Sequence, residues 1–149
     1  MKINTRHFGE IEIEDEKIVD FPEGIPGFEH VRKFVILSNI DEESPFRWLQ
    51  CVDDPSLAFA VIDPRVIKPD YTVDVDDSGI EILNIQNCDD VVILSIVVVP
   101  EDITRMTANL KAPIIINSAN MRGKQVIMDK CDYPVRYFIF EALECAGGV

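Results

Sequence analysis

Residues Val91 to Val99 form a nearly continuous apolar run, interrupted only by Ser95 and rich in β-branched side chains. Such side chains favour the extended backbone, because two heavy atoms on Cβ crowd a helix more than a strand. A strand without polar alternation is typical of one that is buried on both faces. The run is also too short to cross a bilayer, which takes about 20 residues. We therefore expect this strand at the centre of a mainly β protein.

Shorter segments show the period-two alternation of half-buried strands. In Phe8–Glu14, Ile11 and Ile13 are expected to face inward and the glutamates outward. Further candidate strands are Lys17–Phe21, Lys33–Leu37, Phe46–Val52, Leu57–Asp63, Thr107–Ala112, Ile114–Asn117, Lys124–Met128 and Val135–Phe140. Many short strands at regular spacing predict a barrel or sandwich. We predict a mainly β, single-domain antiparallel β-barrel-like fold with one or two short helices.

Helical signals are few. Ser78 and Glu81 have the spacing of a capping box, which predicts a short helix, although residues 77–79 are also compatible with a hairpin turn. Pro100–Thr104 predicts a single helical turn. The chain contains no internal repeat or linker, so we assign residues 1–143 to one domain and residues 144–149 to a flexible tail.

The charge balance restricts the classes of partner. Fourteen Lys and Arg stand against 27 Asp and Glu, which gives a net charge of −13. Such a surface repels phosphate backbones, so we expect no direct binding to nucleic acid or to an anionic membrane. The same field attracts basic proteins, although acidity also serves solubility alone. Charge leaves these two interpretations open.

The cysteines are expected to be reduced thiols of the cytoplasm. Cys51, Cys88, Cys131 and Cys145 are too far apart for a CxxC motif. The first residues are polar and charged, so we expect no signal peptide and a cytoplasmic location. The only histidines, His7 and His30, do not supply the grouped ligands of a zinc site, so we predict no metal and no cofactor.

Motifs that carry catalysis are missing from the sequence. The seven glycines form neither GxGxxG nor GxxxxGK, so nucleotide binding is unsupported. Residues 74–79 resemble the start of a calcium loop, but its twelfth position is Ile85 where a bidentate Glu is required. We therefore predict that the protein is not an enzyme. A barrel that binds or transforms a small molecule in its interior remains the alternative.

Three segments are candidates for a binding surface. Phe21–Glu29 is an aromatic-flanked loop that either is exposed or plugs one end of the barrel. Asp63–Tyr71 resembles an extended edge strand, which either accepts a partner's strand or is covered by a loop. Asn117–Gln125 is a polar turn that concentrates positive charge, and it is either a plain hairpin turn or a binding surface with Met121 as an adaptable contact. From these segments the predicted partner-binding residues are Ile67, Tyr71, Asn120, Met121, Arg122 and Lys124.

Four motifs together resemble one family. Phe21–Phe28, with the sequence FPEGIPGF, is similar to the N-terminal signature of the bacterial flagellar assembly factor FliW family. Asn109–Asn117, Gly123–Ile127 and Asp132–Arg136 resemble its later hallmarks, in matching order and spacing. Each motif alone is weak, whereas four in register cover the chain from the first strand to about Phe140.

The resemblance implies a cytoplasmic, non-enzymatic protein with a compact β-barrel-like fold. Members of the family bind flagellin before its export and also bind CsrA, a small dimeric RNA-binding repressor of flagellin translation. The implied role is therefore a partner switch that controls flagellin synthesis, in which flagellin, when abundant, occupies the factor and leaves CsrA free to repress.

Overall fold

The computed structural model describes residues 1–38 and 45–145. The strands are β1 (Lys2–Thr5), β2 (Gly9–Glu12), β3 (Val19–Asp20), β4 (Lys33–Leu37), β5 (Phe46–Cys51), β6 (Ala58–Ile62), β7 (Val91–Val98), β8 (Thr107–Ala108), β9 (Ile114–Asn117), β10 (Arg122–Gln125) and β11 (Tyr137–Phe138). The α-helices are α1 (Pro64–Ile67), α2 (Asp77–Ile80) and α3 (Phe140–Cys145). No helix in this described part is long and apolar enough to cross a membrane.

Seven strands close into a barrel in the order β3-β4-β5-β6-β7-β9-β10, which confirms the predicted fold class. All pairs around it are antiparallel except the one that closes the ring, where Arg122 of β10 lies opposite Asp20 of β3 in parallel. The Asp20 amide donates to the Met121 carbonyl at 2.8 Å at this closure. Strands β8 and β11 extend the sheet from the far end of β7, and β1 and β2 form a separate hairpin.

Strand β7 is the hub of the barrel, as its sequence predicts. Its first half pairs with β9 and its second half with β6 and β8. Alternate side chains face opposite ways: Val92, Leu94 and Ile96 pack into the interior, whereas Ile93 and Val97 pack into an outer cluster. Both faces are thus covered along most of the run.

The barrel interior is filled by side chains. Its buried members are Val19, Phe21, Ile25, Val31, Phe34, Leu49, Cys51, Val61, Leu94, Ile114 and Ile116. Phe34 lies at the centre, with its ring 5.3 Å from that of Phe21 and 6.1 Å from that of Phe59. These side chains occupy the space in which the alternative prediction would place a small molecule.

Three outer clusters cover the other side of the strands. The β1–β2 hairpin buries Ile3 and Ile13 against Val35 of β4. The segment after α2 buries Leu83 against Ile115 of β9. The third and largest, which we call the C-terminal cluster, is formed by residues of β6–β8, α1, α3 and the segments between them: Ile62, Ile67, Tyr71, Val97, Met106, Ala108, Leu110, Met128, Ile139 and Leu143.

Local differences from the sequence predictions have identifiable causes. Strand β8 ends at Ala108 instead of Ala112, because the Asn109 side chain accepts hydrogen bonds from the amides of Lys111 and Ala112 and turns the chain. A short helix does form near Ser78, so the hairpin alternative is wrong, but Asp76 rather than Ser78 occupies the N-cap position.

Two elements at the ends of the chain were not predicted. Strand β1 precedes the strand expected at Phe8–Glu14, and helix α3 follows β11. The predicted boundary between residues 143 and 144 falls inside α3, whose Leu143 is fully buried in the C-terminal cluster. The remaining residues of the expected tail, 146–149, lie outside the described residues.

Candidate protein-binding surfaces

Ile67 and Tyr71 do not lie on a surface, and the prediction of an extended edge strand at Asp63–Tyr71 is wrong. Pro64 occupies the first turn of α1, where its missing N–H costs nothing, and the Asp63 carboxylate caps the helix by accepting from the Arg65 amide at 2.9 Å. The helix turns Ile67 inward, where it is 4% exposed, and Tyr71 beyond it is 1% exposed. The Tyr71 hydroxyl donates to the Leu110 carbonyl at 2.7 Å.

The turn between β9 and β10 and the start of β10 hold the other four predicted residues close together. Asn120 and Arg122 are exposed, and their side chains donate to the carbonyls of Leu83 and Ile82 at 2.9 and 3.2 Å. Lys124 forms an ion pair with Glu23 at 3.1 Å. These contacts hold the turn against two neighbouring segments, so its polar side chains have defined positions.

Met121 differs from the exposed contact that the sequence suggested. Its φ of 55° places it in the left-handed region, and its side chain is half-buried against the barrel interior. Ile67 and Tyr71 belong to the C-terminal cluster instead. The structure therefore brings Asn120, Met121, Arg122 and Lys124 together but does not join them with Ile67 and Tyr71.

The loop Phe21–Glu29 plugs the barrel, which was one of its two predicted interpretations. Phe21 and Ile25 are buried in the interior, and Phe28 packs on Phe59 with ring centroids 5.4 Å apart. Gly24 has a φ of +69°, and a Cβ there would lie 2.5 Å from the Glu29 Cα. The loop thus needs glycine at this position for both conformation and space.

An exposed apolar surface that sequence reasoning missed lies on the extension β7–β8–β11. Val98 pairs with Thr107 and Thr107 pairs with Phe138, so Val98 and Phe138 flank the buried Thr107 on one face of the sheet. Val98 is 62% exposed and Phe138 is 60% exposed. Ile103, in the 3-10 turn that leads into β8, is 49% exposed. We call Val98, Ile103 and Phe138 the extension patch.

A shallow groove of about 550 Å³ adjoins the extension patch. Phe138 lines it together with Arg105, whose guanidinium lies 6.0 Å from the centre of the Phe138 ring. Glu141 and Glu144 of α3 line the same groove. At the start of the 3-10 turn, hydrogen bonds from the Thr104 hydroxyl and amide lower the pKa of the Asp102 carboxyl, so this carboxylate stays ionised. The exposed side chains of the patch are therefore apolar, and the charged groups around them are mostly acidic.

One signal in the sequence points to this surface. The pairing of β7 with barrel strand β6 ends at Val97. The apolar run continues past that point through Val98 and Val99, which are exposed. Beyond that point, among the strands of the described residues, β7 pairs only with β8. The length of the apolar run does not reveal which end of the strand leaves the barrel. The sequence therefore did not identify Val98 and Val99 as exposed.

Comparison with known proteins places this chain among a set of close relatives. A family model described as FliW protein matches residues 2–139. The flagellar assembly factor FliW of Thermoanaerobacter pseudethanolicus is 48% identical over 146 residues, which cover 98% of this chain and 97% of that relative. The FliW of Alkaliphilus metalliredigens is 44% identical over 97% of this chain and 89% of its own length. A crystal structure of the flagellar assembly factor FliW superposes with a TM-score of 0.87 at 41% identity, covering 94% of this chain and 97% of that one.

Proposed function

This chain belongs to the FliW family of flagellar assembly factors, and from that premise we propose that it works in the cytoplasm, without catalysis, by binding flagellin and CsrA in turn. When flagellin accumulates it occupies the protein, and CsrA is free to repress flagellin translation. When flagellin is exported the protein is released and binds CsrA, which relieves repression. The populations of the two complexes then follow the flagellin concentration by mass action.

The exposure of Val98 and Phe138 in one row is the observation that carries the proposal. Side chains of this size at 62% and 60% exposure, next to a groove, are typical of a surface that a protein partner covers. An amphipathic helix lays its apolar face into such a site. We assign the extension patch to a helical segment of flagellin, with basic residues beside its apolar stripe to meet Glu141 and Glu144.

The charge of the protein supports CsrA as the second partner. A protein that binds RNA must present a basic face, because phosphate contacts dominate its affinity. A net charge of −13 attracts such a face and speeds the encounter. Asn120, Met121, Arg122 and Lys124 remain proposed contacts for a protein partner, with positions defined by their internal hydrogen bonds and the ion pair with Glu23. The attraction of a basic face comes from the acidic remainder of the protein and not from these residues.

The experiment that tests the flagellin site compares two exposed apolar residues. We expect Phe138→Ser to weaken the binding of purified flagellin at least tenfold in a calorimetric titration, because a central aromatic anchor contributes about 2 kcal/mol or more. The matched control is Ile127→Ser, since Ile127 is 55% exposed but lies outside the extension. Thermal melting should show both variants folded. If both bind flagellin like the unmodified protein, the extension patch is not the flagellin site.

A further inference from the structure

In the described part of the chain, strand β7 has an unpaired backbone edge where its neighbour β6 stops. The last pair between them joins Ile62 to Ser95, so a longer β6 would place Pro64 opposite Ile93. Proline has no N–H to donate, and the Pro64 carbonyl already accepts from the Lys68 amide at 2.9 Å within α1. The residues that start the helix therefore end the strand, and within the described residues no strand pairs with β7 on this side before Ser95.

The register shows which backbone groups are left free. The Asp90 carbonyl accepts from the Ser118 amide. In an antiparallel pair every second residue bonds to the same neighbouring strand, so Val92 and Leu94 are the next residues of β7 that bond to β9. The backbone groups of Val91 and Ile93 consequently point the opposite way, toward the missing part of β6. The Val91 amide bonds to the Cys88 carbonyl. Within the described residues, the Val91 carbonyl and both backbone groups of Ile93 have no hydrogen-bond partner.

This free edge borders a groove of about 410 Å³ that carries positive charge. Arg47 of β5 and Arg65 of α1 line it together with Val91–Leu94. Both arginines are exposed, and neither has a carboxylate within ion-pair distance in the described part of the chain. Asp63 also lines the groove, but its carboxylate is engaged as the helix cap. Two arginines that have no ion pair within the described part of the chain stand out beside a strand edge on a protein with a net charge of −13.

We propose that this groove binds an extended, acidic peptide segment of another protein by adding it as a strand to the free edge of β7. Strand addition draws its affinity from main-chain hydrogen bonds, which the Val91 carbonyl and Ile93 offer here. Specificity comes from side chains, and carboxylates on the added strand form charge-assisted hydrogen bonds with Arg47 and Arg65. The site is separate from the extension patch, and it does not depend on the identity of either partner proposed above.

The test uses a synthetic N-acetylated heptapeptide in which valine alternates with glutamate, labelled for fluorescence anisotropy. We expect it to bind, and the charge-reversing double variant Arg47→Glu/Arg65→Glu to weaken binding at least tenfold. A peptide with lysine in place of glutamate should bind the unmodified protein at least tenfold more weakly and should recover on the double variant. The control variant is Arg136→Glu, an exposed arginine outside the groove.

Two further measurements decide whether the peptide forms hydrogen bonds with the backbone edge of β7. A glutamate peptide that is N-methylated on the alternate amides facing β7 should lose binding, because those amides can no longer donate to the Val91 and Ile93 carbonyls. The Ile93 amide should exchange with solvent rapidly in the free protein and slow at least tenfold when the peptide is bound. Absence of binding, binding that is indifferent to peptide charge, or binding that leaves the Ile93 amide unprotected overturns the proposal.

Discussion

Gly123 in β10 lies directly against the buried ring of Phe21, so that a Cβ at position 123 would stand 2.8 Å from the Phe21 Cζ. Phe21 is fully buried and its ring meets that of Phe34 at 5.3 Å, so it has no free space to retreat into. This contact joins two of the sequence motifs, because Phe21 begins the first and Gly123 begins the third. It also adjoins the parallel pair Arg122–Asp20 that closes the barrel.

We expect Gly123→Ala to lower the free energy of unfolding by about 1–3 kcal/mol, the usual effect of overpacking a core. Gly79→Ala is the matched control, because nothing lies within 4 Å of a Cβ there and alanine favours its helix. The control should be neutral or more stable by up to about 1 kcal/mol. Urea unfolding of both variants measures the difference, and equal stabilities would show that Phe21 does not confine position 123.

Tyr71 should make the stability of the protein depend on alkaline pH. Burial raises the pKa of its hydroxyl well above the ordinary tyrosine value, with smaller contributions from Cys131 and Tyr133. The folded state therefore disfavours tyrosinate, and the stabilisation from the neutral hydroxyl is complete below about pH 10 and is lost as pH rises above it. Above that pH we expect a loss of up to about 1.4 kcal/mol per pH unit.

The matched variant for this effect is Tyr71→Phe. This substitution removes the hydrogen bond to the Leu110 carbonyl, which should lower the free energy of unfolding by about 1–3 kcal/mol at neutral pH. It also removes the ionisable group. Urea midpoints between pH 8 and 11 should fall more steeply for the unmodified protein than for the variant. Parallel curves for the two proteins would mean that Tyr71 ionises as readily folded as unfolded.

Ser95 buries a hydroxyl that has no hydrogen-bond partner in the described part of the chain. An unpaired buried hydroxyl is unfavourable, so Ser95→Ala should leave the free energy of unfolding unchanged or raise it by about 1–2 kcal/mol. Ser118→Ala is the comparison, because that hydroxyl donates to the Asp90 carbonyl at 2.8 Å and its removal should not stabilise the protein. A clear loss of stability in Ser95→Ala would indicate a hydrogen bond that this geometry lacks.

Much of the barrel was predictable because a strand's pattern records which face is buried. Lys33–Leu37 and Ile114–Asn117 were predicted with the boundaries that the structure has. The run from Val91 onward also proved to be the hub, since a continuous apolar strand needs cover on both faces. Helix α3 was missed because its six residues are too few to show a helical period.

The candidate surfaces were harder to predict, because exposure is set by tertiary contacts. Tyr71 looked accessible in a proline-bounded segment, but α1 directs that segment into the C-terminal cluster. Phe138 was predicted only as part of the strand Val135–Phe140, and the position of β11 at the edge of the extension leaves it 60% exposed. Composition predicts how much apolar surface must be buried, not which side chains remain outside.

A calorimetric titration of this protein with purified CsrA, performed first alone and then after saturation with flagellin, shows whether the two partners exclude each other. The proposed partner switch predicts binding to CsrA in the first titration and its loss in the second. CsrA binding that is undiminished by saturating flagellin would contradict the switch, and so would the absence of binding to either protein.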